Sequence, residues 1–110
     1  MELDKRLTSV FARLCSSLSK EDVQFMDCLL WVNFDRRWPR LENPTAITLL
    51  MKMKELEMWK VDICRRECHL SCLVHLLDVI GRRDLASAVQ DFGWLFYLTF
   101  VLFCLLKLLS

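Results

Sequence analysis

Apolar side chains recur along this chain at helical spacing, and the clearest case lies over residues 70–92. Leu70, Leu73, Val74, Leu77 and Ile80 fall at i, i+3, i+4, i+7 and i+10, one stripe on an α-helix. Gly81 follows at once, where a left-handed C-terminal cap is wanted. Asp84 then stands where an N-cap belongs, and Leu85, Ala88, Val89 and Phe92 begin a second stripe. The pattern predicts a helix, a tight Gly-Arg-Arg corner and another helix. Arg82 and Arg83 at that corner need water or carboxylate partners.

Upstream, Leu3, Leu7, Val10, Phe11, Leu14 and Leu18 mark a first helix. Ser19-Lys20-Glu21-Asp22 reads as the start of a second, which runs to about Trp31. Val23, Met26 and Leu30 form its core-facing row, and Phe25, Cys28 and Leu29 lie on an adjoining face. That helix is either deeply packed, or it presents Phe25 and Leu29 as a patch that docks on a partner. Residues 33–43 break the helical pattern and read as a short helix or ordered loop. Asn43 as N-cap and Pro44 at the first helical position open a helix carrying Ile47, Leu50 and Met51. Residues 55–66 are less regular, and their loop boundaries do not follow from the pattern.

The C-terminal stretch differs from everything before it. Residues 94–106 are uninterruptedly apolar apart from Thr99, with no polar face at all. As a helix, 93–109 extends about 25 Å against the ~30 Å hydrocarbon core. Trp94 and Tyr97 suit the near interface, and Lys107 is placed to snorkel. The division expected is a domain over 1–92 and a hydrophobic segment over 93–110. That segment reads as a transmembrane tail anchor with the domain in the cytosol. The alternatives are an apolar helix packed on the domain or a partner, or an unstable terminus.

Charge narrows the partners. Lys and Arg total 15 against 14 Asp and Glu, a net charge of +1, which gives no broad field for DNA, RNA or an anionic membrane surface. Arg36, Arg37 and Arg40 beside Trp38 therefore read as a solvated face or the positive half of a protein-binding surface. Two glycines and two prolines leave little room for hairpins, so an all-α protein is expected. The N-terminus is charged and shows no secretory signal, so the six cysteines read as free thiols in a reducing compartment. Cys64, Cys68, Cys72 and His75 fall at i, i+4, i+8 and i+11; on a single helix that row extends ~16 Å, too far for one zinc ion. No Gly-rich phosphate loop, nucleophile elbow or Cys–His arrangement with an oxyanion donor is found, so no cofactor, metal or catalytic activity is expected.

Several short stretches together resemble the death effector domain family. They are Ser16-Ser17-Leu18-Ser19-Lys20-Glu21-Asp22-Val23, Arg40-Leu41-Glu42, Leu76-Leu77-Asp78-Val79-Ile80-Gly81-Arg82-Arg83-Asp84-Leu85 and Ala88-Val89-Gln90-Asp91-Phe92. The resemblance implies an all-α fold, a six-helix antiparallel death-fold bundle, followed here by a hydrophobic C-terminal helix. It implies that Asp22, Arg82 and Asp84 form a surface charge triad. Where many members carry a Phe-Leu docking knob this chain has Cys28-Leu29, with Phe25 one turn earlier as a substitute ring. The partner-binding residues implied are Asp22, Phe25, Cys28, Leu29, Arg36, Arg37, Arg40, Arg82, Asp84 and Leu85. The function implied is non-enzymatic homotypic binding to death effector domains of adaptors, initiator caspases or their inhibitory homologues, regulating apoptotic signalling. Head-to-tail contacts of that kind also permit self-association. The location expected is the cytoplasm or the cytoplasmic face of an intracellular membrane. The rival reading is a tail-anchored membrane protein whose helical domain serves an unrelated partner.

Overall fold

Five α-helices and one two-stranded antiparallel sheet are found among the described residues, which in this computed structural model are 2–34 and 37–109. In chain order they are α1 (Glu2–Ser17), α2 (Lys20–Phe34), α3 (Ala46–Glu55), β1 (Lys60–Asp62), β2 (Glu67–His69), α4 (Ser71–Val79) and α5 (Arg83–Leu109). The core is one continuous cluster. Leu14 of α1, Met26 and Leu30 of α2, Leu49 and Met53 of α3, Leu73 and Leu77 of α4, and Leu85 and Val89 of α5 are all buried within it. Helix α5 packs against α4, α1 and β2.

The starts of α2 and α3 are set by side chains that satisfy otherwise unpaired backbone groups. At α2 the Asp22 amide donates to the Ser19 hydroxyl over 3.0 Å, and the Ser19 amide donates to the Asp22 carboxylate over 3.1 Å. At α3 the cap is Thr45, in reciprocal bonds with Thr48, and not Asn43. Asn43 instead takes a left-handed turn, φ 47°, which asparagine tolerates better than most residues. Pro44 lies before the cap, outside the helix. Gly81 adopts φ +85° after α4, the left-handed position expected of it.

The expectation of an all-α six-helix bundle is corrected by the β-hairpin. Trp59-Lys60-Val61-Asp62-Ile63 alternates apolar and polar residues with period two, and its apolar members include β-branched Val61 and Ile63. Lys60, Val61 and Asp62 pair with His69, Cys68 and Glu67. A 2.8 Å ion pair joins Lys60 to Glu67 across the strands. The turn needs no glycine: the Asp62 carboxylate accepts the Arg65 amide, and Arg66 takes the left-handed φ of 58°. Trp59 anchors the hairpin to the core, its indole N–H donating to the Leu50 carbonyl over 2.9 Å and its ring 4.6 Å from that of Phe11. Cys64, Cys68, Cys72 and His75 therefore do not share a helix. They are divided among the turn, β2 and α4.

The segment after α2 is pinned by a buried carboxylate. Asp27 is only 4% exposed. It accepts the Trp38 indole N–H over 2.8 Å and the Leu41 amide over 3.2 Å, with the Arg40 guanidinium 3.8 Å away. A carboxylate this buried needs such partners, and they fix a stretch that has no regular structure of its own. Helix α5 runs unbroken through Gly93, where an added Cβ would meet only the Leu70 side chain at 3.9 Å.

Two stability changes follow. Trp38→Phe removes the indole donor while keeping most of the ring, and should lower unfolding free energy by about 1–3 kcal/mol. An unchanged urea midpoint would show that the Asp27 contact holds nothing. Gly93→Ala should raise stability by roughly 0.5–1 kcal/mol, because the helix gains propensity and the space is open. A lowered thermal midpoint would contradict that.

Candidate interaction surface

The corner between α4 and α5 carries the densest ionic node. Arg82 donates through one terminal nitrogen to the Ser17 carbonyl and the Asp22 carboxylate, both over 2.8 Å. Through Nε and its other terminal nitrogen it holds both oxygens of Asp84, each at 3.2 Å. One guanidinium thus ties the end of α1, the start of α2 and the start of α5. Arg83 points elsewhere and pairs with Asp78 over 3.3 Å. Helix α5 begins one residue before Asp84, and the Ala86 amide donates to the Arg82 carbonyl. Asp84 is therefore a first-turn charge complementing the helix N-terminus, not the N-cap expected of it.

The node shifts all three ionisations. Burial alone would raise the Asp22 carboxyl, but the Ser19 amide and hydroxyl and Arg82 hold it below its ordinary value. Arg82 likewise lowers Asp84, and the two carboxylates, Asp84 first, raise Arg82. The Asp22 and Arg82 side chains are only 19% and 25% exposed, while Asp84 is 53% exposed. The node is thus mainly an internal fastening, with Asp84 its open edge.

Helix α2 is apolar on two sides. Val23, Met26 and Leu30 face the core, while Phe25, Leu29 and Val32 follow at i, i+4 and i+7 on the outer side. Phe25 is 53% and Val32 68% exposed, with Leu29 half-buried between them. Asp22 begins this same row, so the ionic node stands at one end of the stripe. Arg40 flanks it: the guanidinium donates to the Cys28 sulfur over 3.3 Å and lies 5.6 Å above the exposed Trp31 ring. Arg37 and Arg40 are exposed. Leu85 is 0% exposed and offers no surface, and Arg36 lies outside the described residues. Trp31 and Val32 belong to the patch although the sequence reading did not single them out. Val32 follows Phe25 by seven residues, which is the signal that would have found it.

Among the described residues no three His, Cys, Asp or Glu side chains converge on a point. Burial raises the Cys68 and Cys72 thiols, which disfavours the nucleophilic thiolate. An open groove of about 900 Å³ between α4 and α5 holds His75 and Gln90, but its Asp78 and Arg83 are already paired with each other.

Because Asp22 is held below its ordinary value of 3.8, it contributes stability above about pH 4 that is lost as pH falls through the folded-state value. Asp22→Asn should remove that part of the acid dependence and leave the variant less stable at neutral pH. Unfolding curves between pH 2 and pH 7 that stay parallel for the two proteins would refute the link.

No protein-family model, curated protein or solved structure matches this chain. The resemblance to death effector domains does not stand, and the apoptotic and caspase assignments that rested on it fall with it. Among the described residues, five α-helices and a β-hairpin stand in place of the six-helix bundle. The motifs that carried it have local reasons instead: Ser19 and Asp22 cap α2, Gly81 turns the corner, and Arg82 binds the carboxylates around it. The segment of membrane-crossing character is α5. Its apolar window is only 11% buried, unlike the core helix of a soluble protein, which is consistent with a membrane-associated chain.

Proposed function

We propose that this chain is a small non-enzymatic interaction domain, held at a membrane by the C-terminal half of α5. The outer face of α2 is its docking surface for a partner protein. The observation that carries the reading is the division of α5. Leu85, Val89, Phe92 and Phe96 lie in the core, whereas Trp94, Leu98, Leu102, Leu106 and Leu109 are about half exposed or more. So large an exposed apolar surface is costly in water and needs a cover. Lipid suits it because it is apolar over several successive turns. The face of α2 differs in kind. It is a short stripe ending in an ionic node and flanked by Arg40, the mixture of apolar anchor and polar rim found at protein interfaces.

Membrane flotation of the full chain tests this. The wild-type protein should rise with the vesicles. Leu98→Glu, Leu102→Glu and Leu105→Glu together change three side chains that are about half exposed and should reduce binding at least about a hundredfold, given roughly 1.5–3 kcal/mol per leucine removed from lipid. A wild-type chain that stays in the aqueous fraction, or a folded triple variant that still floats, would overturn the anchor.

A further inference from the structure

The hairpin constrains how α5 meets a bilayer. The Arg66 guanidinium lies 5.5 Å above the Phe100 ring and 5.2 Å above that of Phe103, and the Lys107 ammonium lies 5.9 Å from the Phe103 ring. Phe92 and Phe96 face the same way into the core, 4% and 3% exposed. All of these residues share one side of the helix at 100° per residue. The opposite side carries Trp94, Leu98, Val101, Leu105 and Leu108, at i, i+4, i+7, i+11 and i+14, and none of them is charged. Within this fold the C-terminal half of α5 is therefore two-sided: cations and hairpin on one side, and on the other uncharged apolar side chains that are exposed except for the partly buried Val101.

A spanning orientation conflicts with that arrangement. With Trp94 at the interface, Phe103 would lie about 14 Å and Lys107 about 20 Å deeper, close to the middle of a ~30 Å hydrocarbon core. Arg66 would be carried down with Phe103, and with it Asp62, Arg65 and the turn between β1 and β2. A two-stranded sheet has unpaired backbone groups along both edges, and such edges are not tolerated in lipid. Ionised side chains at that depth add several kcal/mol each. Lying along the membrane surface, the same helix buries its uncharged side and leaves Arg66, Lys107 and the hairpin at the headgroups.

Resting on the membrane reading above, we propose that α5 does not cross the bilayer. Its C-terminal half lies in one leaflet, with the side carrying Trp94, Leu98 and Leu105 toward the acyl chains. Arg66 and Lys107 lie at headgroup level, so the C-terminal end of α5 at Leu109 stays on the same side of the membrane as the domain.

The test uses the full chain with one epitope before residue 1 and another after residue 110, bound to sealed microsomes and treated with added protease. The expected result is a chain that sediments with the microsomes while both epitopes are digested. Protection of either epitope would show a spanning helix, overturning this inference and leaving the membrane reading intact. A folded chain missing from the microsomal pellet would overturn both.

Discussion

Covering one side of α5 is the constraint around which the other elements are arranged. That helix has one apolar stripe up to Phe92 and is apolar around most of its circumference beyond Gly93, so part of it must be hidden from water. Helix α4 and α1 pack along it, and β2 closes over it. Burying a large apolar side chain contributes about 1.5–3 kcal/mol. Leu85, Val89, Phe92 and Phe96 together then contribute on the order of 10 kcal/mol, comparable with the whole net stability of a domain this size. Of these four, Phe96 lies in the apolar segment, so the fold and the tail share part of one core. Pulling α5 outward far enough to expose Phe92 and Phe96 would take the core with it.

Two polar fastenings hold the remaining segments, and they differ in kind. Asp27 is buried and accepts donors from a stretch without helix or strand, so its bonds define where that stretch lies. Arg82 is partly open to water and joins ends of helices that packing already brings together. Solvent screens the second more than the first, and breaking the first strands a charge in the core. Asp27 thus holds 38–41 in place, while Arg82 adjusts how firmly the α1–α2 and α4–α5 corners are clamped.

The helices were legible in the sequence wherever an apolar stripe met a recognisable cap. Ser19 with Asp22, and the 70–80 stripe ending at Gly81, are examples. The hairpin was not read, because β1 and β2 have three residues each and the two glycines in the chain lie elsewhere. Its turn is made by Asp62 and a left-handed Arg66, and arginine carries no turn signal. The role of Asp27 was equally hidden: on α2 it looks like one more acidic residue, and only Trp38, eleven positions away, gives it meaning. Of the candidate surface, the grouping of Asp22 with Arg82 and Asp84 was only implied by the family resemblance, since nothing in the charge spacing brings positions 22 and 82, sixty residues apart, together. The burial of Leu85 was implicit in its own stripe, where an inward position excludes partner contact.

The absence of any loop between domain and tail has a mechanical consequence. Gly93, the one residue that could have served as a swivel, sits inside a continuous helix with its neighbour Leu70 in van der Waals reach. If the C-terminal half of α5 holds the chain to a membrane, as proposed, the domain could not tumble on it as it would on a flexible tether. Its attitude to the bilayer would be fixed by the same side chains that fold it, and α2 would be offered to the surroundings at one angle. A partner confined to the same plane would search fewer orientations to find that face, which favours encounter rate. A partner arriving from solution would gain nothing from the arrangement.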